Sequence, residues 1–132
     1  MAVGIGQCVV AVVAIGIRFF GAGWWMIFAM FTLGIVPAVI VAPVIVAGFL
    51  APPEALPLLV VADVLLLAAA STAPDMGDNP EYQFPLRGLL TGYPGLPVGD
   101  PRSVRLCGVA RWSAWGYLAA VLVLLVWTCT GH

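Results

Sequence analysis

The chain has 132 residues, of which 63% are hydrophobic and 8% charged, with a mean hydropathy of +1.11, whereas a soluble domain carries about 25% charged residues. Water is therefore not its main solvent, and a net charge of −1 gives no electrostatic basis for binding nucleic acid. Four apolar runs of roughly 20 residues, the length that crosses a bilayer, use most of the chain and leave little for a domain outside the membrane. The sequence predicts an all-α integral membrane protein, a single transmembrane domain over 1–132, with helices at 2–20, 24–50, 55–73 and 110–130 and one long Pro/Gly-rich loop at 74–109.

The first run, 2–20, is followed by Gly21, Ala22 and Gly23, small residues suited to a tight turn. A cleavable signal needs a basic region before its apolar stretch, but Arg18, the only nearby charge, comes after it, so this segment is expected to stay. The second run, 24–50, is long enough to cross with tilt. Pro37 and Pro43 interrupt it, and because proline removes a helix hydrogen bond and bends the axis, the expectation is one kinked span rather than two half-spans.

Ala51, Pro52, Pro53 and Glu54 form a short polar turn. The third run, 55–73, carries Asp63 near its middle. Nine Leu and Val residues lie between positions 56 and 67; at roughly −0.3 to −0.6 kcal/mol each they outweigh about +3 for a central aspartate, so insertion is still favourable. From 74 to 109 the chain holds six prolines and most of the charges, with no evident periodicity. The fourth run, 110–130, is uncharged after Arg111 and flanked by Trp112, Trp115, Tyr117 and Trp127.

All five basic residues are arginines, at 18, 87, 102, 105 and 111, a usage that fits a GC-rich bacterial genome. With four spans they all fall on one side, and the positive-inside rule makes that side cytoplasmic. Both termini are then outside a plasma or inner membrane. Phe19, Phe20, Trp24, Trp25, Trp112, Trp115 and Tyr117 would share the cytoplasmic interface, where amphipathic rings are favoured.

Asp63 is the most informative residue, because a carboxylate in hydrocarbon is costly and faces a partner, a cavity or a proton path. Positions three and four away are Leu59, Val60, Leu66 and Leu67, so its partner must come from another helix or another subunit. It reads either as an assembly contact or as a proton or ion site. Arg18 reads as an interface anchor that snorkels from the end of the first span, with pairing to Asp63 as the alternative.

Other chemistry is sparse. Asp75, Asp78, Asn79 and Glu81 lack the spacing of a calcium loop and read as a solvated segment. The run from Thr91 through Gly92, Tyr93 and Pro94 to Gly95 departs from a potassium filter at Pro94, and no pore helix is expected before it. His132 is the only histidine, which leaves no intramembrane imidazole for a haem or a transition metal. Cys8, Cys107 and Cys129 form no CxxC pair and read as free thiols. No nucleophile set, phosphate loop or zinc pattern occurs, so neither a cofactor nor independent catalysis is expected.

The leading expectation is an accessory, non-catalytic small subunit that assembles or stabilises a larger membrane protein complex. Its partners would be lipids and other membrane-protein subunits, a hetero-complex being favoured over a homo-oligomer. Ala38 and Ala42, like Gly116 and Ala120, are small residues four apart, a spacing that lets helices approach closely in lipid. The alternative is a small oligomeric ion- or proton-coupled transporter or channel whose pathway is lined by Asp63.

Overall fold

The computed structural model describes residues 2–19, 24–32, 34–76 and 80–130, and 82% of it is helical. Four helices form the body: α1 (Ala2–Phe19), α3 (Ile35–Leu50), α4 (Leu56–Thr72) and α6 (Pro101–Thr130), with the short α2 (Trp24–Phe31) ahead of α3. Two segments, Pro53–Thr72 and Pro101–Thr130, are long and apolar enough to cross a membrane, and the helical stretches Ala2–Arg18 and Ile35–Leu50 are apolar but shorter.

α1 and α4 run side by side in the same direction, since Gln7 meets Asp63 near one end and Arg18 meets Ala73 at the other. α3 runs against α1, with Gly48 packed on Gln7 and Gly4. α6 starts at the end where α4 finishes and lies along it in the most extensive helix contact of the fold. The core between them is built of Val44, Leu59, Leu66, Val121 and Leu124 together with Ala11, Ala14, Ala47, Ala62 and Ala120. So many alanines on facing helices bring the backbones close, which is how helices gain van der Waals contact where lipid removes the hydrophobic drive. Gly116 and Ala120 serve that purpose inside the chain: Gly116 abuts Leu65, whose Cδ1 lies 3.1 Å from where a Cβ would stand. Ala38 and Ala42 are exposed.

The second run is not one kinked helix. It is broken between α2 and α3 at Gly34, whose φ of 77° lies in the left-handed region that glycine enters without steric cost. The Gly34 amide donates to the Ala29 carbonyl at 2.8 Å, a six-to-one bond that closes a helix end, and the Thr32 hydroxyl donates to the Phe28 carbonyl at 2.9 Å. The prolines do not cause the break. Pro37 is the third residue of α3, within the first turn, where a helix amide has no partner to lose. Pro43 sits inside α3 without ending it; its missing amide removes only the helix bond to the carbonyl four residues back, and the next carbonyl, that of Ile40, accepts a 2.6 Å bond from the Tyr117 hydroxyl on α6, which ties this turn of α3 to its neighbour.

Residues 74–109 are likewise not a structureless loop, and the fold is not purely α. β1 (Asp75–Met76), β2 (Glu81–Gln83) and β3 (Gly95–Pro97) form an antiparallel sheet in the order β1-β2-β3, pairing Met76 with Tyr82 and Tyr82 with Leu96. α5 (Pro85–Thr91) lies between β2 and β3, so a short helix does precede the Gly92 to Gly95 stretch. Phe84, Pro85, Leu96 and Ser103 are buried and give this cap a small core. α6 begins nine residues before the expected position. Asp100 Oδ1 accepts from the Arg102 amide at 2.7 Å, an N-cap bond, and Pro101 fills the first helical position, where its missing amide costs nothing. At 30 residues α6 is about 45 Å long, longer than a hydrocarbon core.

Glycine positions in the bundle separate into two kinds. A Cβ at Gly48 would land on the Gln7 side chain, whereas nothing lies within 4 Å of one at Gly6 or Gly16. Gly48→Ala should therefore destabilise the protein by about 1–3 kcal/mol, while Gly6→Ala should be neutral or gain up to about 1 kcal/mol from helix propensity. Unfolding in detergent micelles followed by tryptophan fluorescence checks both.

Candidate functional site

An ionisable side chain at bundle depth needs partners, and Asp63 finds its hydrogen bond on another helix of the same chain. The Gln7 amide donates from Nε2 to Asp63 Oδ2 at 2.8 Å. Gln7 is 4% exposed. It reaches Asp63 because α1 and α4 are parallel and in register, about two turns in from their first residues. The bond leaves one oxygen over on each side chain: Gln7 Oε1 and Asp63 Oδ1 are both buried, and neither has a hydrogen-bond partner among the described residues. Tyr117 on α6 is within electrostatic reach of Asp63, but its hydroxyl proton is committed to Ile40.

Arg18 does not meet Asp63. The same register that sets residue 7 beside residue 63 carries residue 18 past the last turn of α4. There Nη1 donates to the Ala73 carbonyl at 2.7 Å and, at 3.4 Å, to that of Ala70, and Nη2 lies 3.8 Å from the Asp75 carboxylate on β1. The guanidinium is turned inward, 11% exposed, and Asp75 is 5% exposed. A cation at this position also faces the negative end of the α4 dipole.

Beside the Arg18 contact lies an open apolar cavity of about 570 Å³, lined by Ala14, Arg18, Val41, Leu66, Ala70 and Tyr117 among others. Its size is that of a small-molecule pocket, but its walls offer little polar chemistry. Of the acidic segment, Asp75 is paired with Arg18 and Glu81 accepts a 2.6 Å bond from the Tyr93 hydroxyl; Asp78 and Asn79 lie outside the described residues. Among the described residues no group of three or more His, Cys, Asp or Glu is placed to hold a metal.

The aromatic positions divide. Trp112 and Trp115 are 70% and 64% exposed on α6, but Tyr117 is buried in the bundle as a hydrogen-bond donor to α3 rather than standing at an interface. Phe20, the side chains of Phe19, Trp24 and Trp25, and His132 lie outside the described residues. Gln7 is the site residue that reading the chain for acids and bases missed. Its signal was available: apart from Arg18 it is the one strongly polar side chain in the whole of α1.

Arg18 contributes hydrogen bonds from a charged donor, worth about 1.5–3 kcal/mol. Arg18→Met should lower stability by that amount. Arg18→Lys should recover only part of it, because a single ammonium cannot reach two carbonyls and a carboxylate as a planar fork does. Denaturation midpoints of the two variants, measured side by side in micelles, test this.

No family model, no characterised protein and no solved structure matches this chain.

Proposed function

We propose that the chain crosses a cell membrane four times, through α1, α2 with α3, α4 and α6, with both termini outside, and acts as an accessory, non-catalytic subunit of a larger membrane complex. The arginines support this orientation. Arg18, Arg87, Arg102 and Arg105 all belong to the end of the bundle that carries the sheet, and Arg111 follows within three turns on α6, the distribution the positive-inside rule asks of a cytoplasmic face.

The observation that carries the subunit reading is the cap. It has its own buried centre, yet Leu89, Leu90, Tyr93 and Val98 are exposed, Leu90 by 76%. On the helices, exposed apolar side chains are what lipid covers. On a segment outside the apolar bundle they are what a protein neighbour covers. Asp63 is bonded within the chain, so the docking argument rests on this cap surface and not on a carboxylate reaching across a subunit boundary. The same intrachain bond weighs against the transporter alternative, in which Asp63 would face a pathway shared between copies.

Extraction of the tagged native protein in a mild detergent, followed by mass spectrometry, should recover a stoichiometric membrane-protein partner. Leu90→Glu should lower that recovery at least about tenfold, as loss of a buried apolar anchor does, without moving the thermal midpoint of the isolated chain. Recovery of the chain alone, or only as a homo-oligomer, would overturn the subunit reading.

A further inference from the structure

Gln7 and Asp63 present an unusual imbalance. Between them they hold three acceptor oxygens inside the bundle and, once Nε2 has been directed at Oδ2, no donor directed at the remaining two oxygens. Both leftover atoms, Gln7 Oε1 and Asp63 Oδ1, are acceptors if Asp63 is ionised. A buried acceptor without a donor is costly, more so when it is charged, and an ionised carboxylate among apolar helices is costlier still. The surroundings offer no remedy among the described residues. Leu59, Val60, Leu66 and Leu67 flank Asp63 on α4, the Tyr117 proton on α6 goes to Ile40, the contact from α3 to Gln7 is Gly48, and Arg18 on α1 is engaged at the far end of α4.

We propose that Gln7 and Asp63 form a proton-binding site, in which Asp63 holds a proton on Oδ1 and donates it to Gln7 Oε1. One hydrogen then supplies what both atoms lack. It removes the charge from the bundle and turns the single amide-to-carboxyl bond into a two-bonded acid–amide pair, Nε2–H to Oδ2 and Oδ1–H to Oε1. The amide is suited to this task. A lysine or arginine at position 7 would stabilise the carboxylate, and a leucine would leave the acid without an acceptor, whereas an amide sets an N–H donor and an acceptor oxygen side by side on the same planar group. Gly48 belongs to the site because its lack of a side chain makes the space that Gln7 occupies. The inference concerns the ligand of this pair and stands apart from whether the cap docks on a partner.

The test is infrared spectroscopy of the full-length protein in lipid vesicles at neutral pH. A protonated carboxyl C=O band should be present, should disappear in Asp63→Asn, and should move to higher frequency in Gln7→Leu as its hydrogen bonds are lost. In parallel, wild-type protein treated with an apolar carbodiimide, which attacks protonated carboxyls, should carry a single adduct at Asp63 by peptide mass spectrometry. This second measurement decides the matter should either variant fail to fold. Carboxylate bands alone in the Asp63 difference spectrum, or no adduct at Asp63, would overturn the proposal and point to a bridging water or a metal cation between the two oxygens.

Discussion

Arg18 reaches from the last turn of α1 to the carbonyls of Ala70 and Ala73 and to the carboxylate of Asp75, so one side chain closes the end of α4 and holds the first strand of the cap beside it. The last carbonyls of any helix lack partners, and at the edge of an apolar bundle water is a poor substitute. Much else follows from this contact. It fixes the sliding position of α1 against α4, and because the two helices are parallel, that position also decides what Gln7 faces eleven residues earlier. The amide meets Asp63, not one of the leucines around it. Gly48 then permits α3 to lie over the same amide. The charged contact at one end and the polar contact inside are two consequences of one register.

The apolar runs were legible because length and composition alone identify them, and each contains a helix. What proved harder to read was punctuation. The prolines of the second run suggest a kink, but the interruption belongs to Gly34 and its positive φ; Pro37 falls in the first turn of α3, and α3 continues through Pro43. Pro101 resembles one more loop proline, but Asp100 before it makes the pair an N-cap followed by a first-turn proline, a helix start. Pro85 and Gly92 bracket α5 in the same way, with Gly92 in the left-handed conformation at its end. The strands of the cap are only two or three residues long, too short for alternation to register.

Asp63 stood out because a charge in an apolar run is conspicuous, and its need for a partner on another helix followed from its leucine and valine neighbours. The identity of that partner did not. An amide carries no charge, and Gln7 becomes notable only when α1 is considered as a place where any polar group is expensive. Arg18 was conspicuous for the same reason as Asp63, and the two invite pairing on paper. Helix rise keeps them apart: seven residues along α4, from Asp63 to Ala70, is about 10 Å.

The break at Gly34 bears on what holds α3 in place. α3 has 16 residues, about 24 Å, and α2 has eight, so neither matches a hydrocarbon layer of about 30 Å. The Tyr117 hydroxyl on α6 reaches the Ile40 carbonyl in the first half of α3, and Gly48 in its second half rests on Gln7 of α1. α3 is thus held at both ends by helices from opposite ends of the sequence, so its place depends on its neighbours more than on its own length.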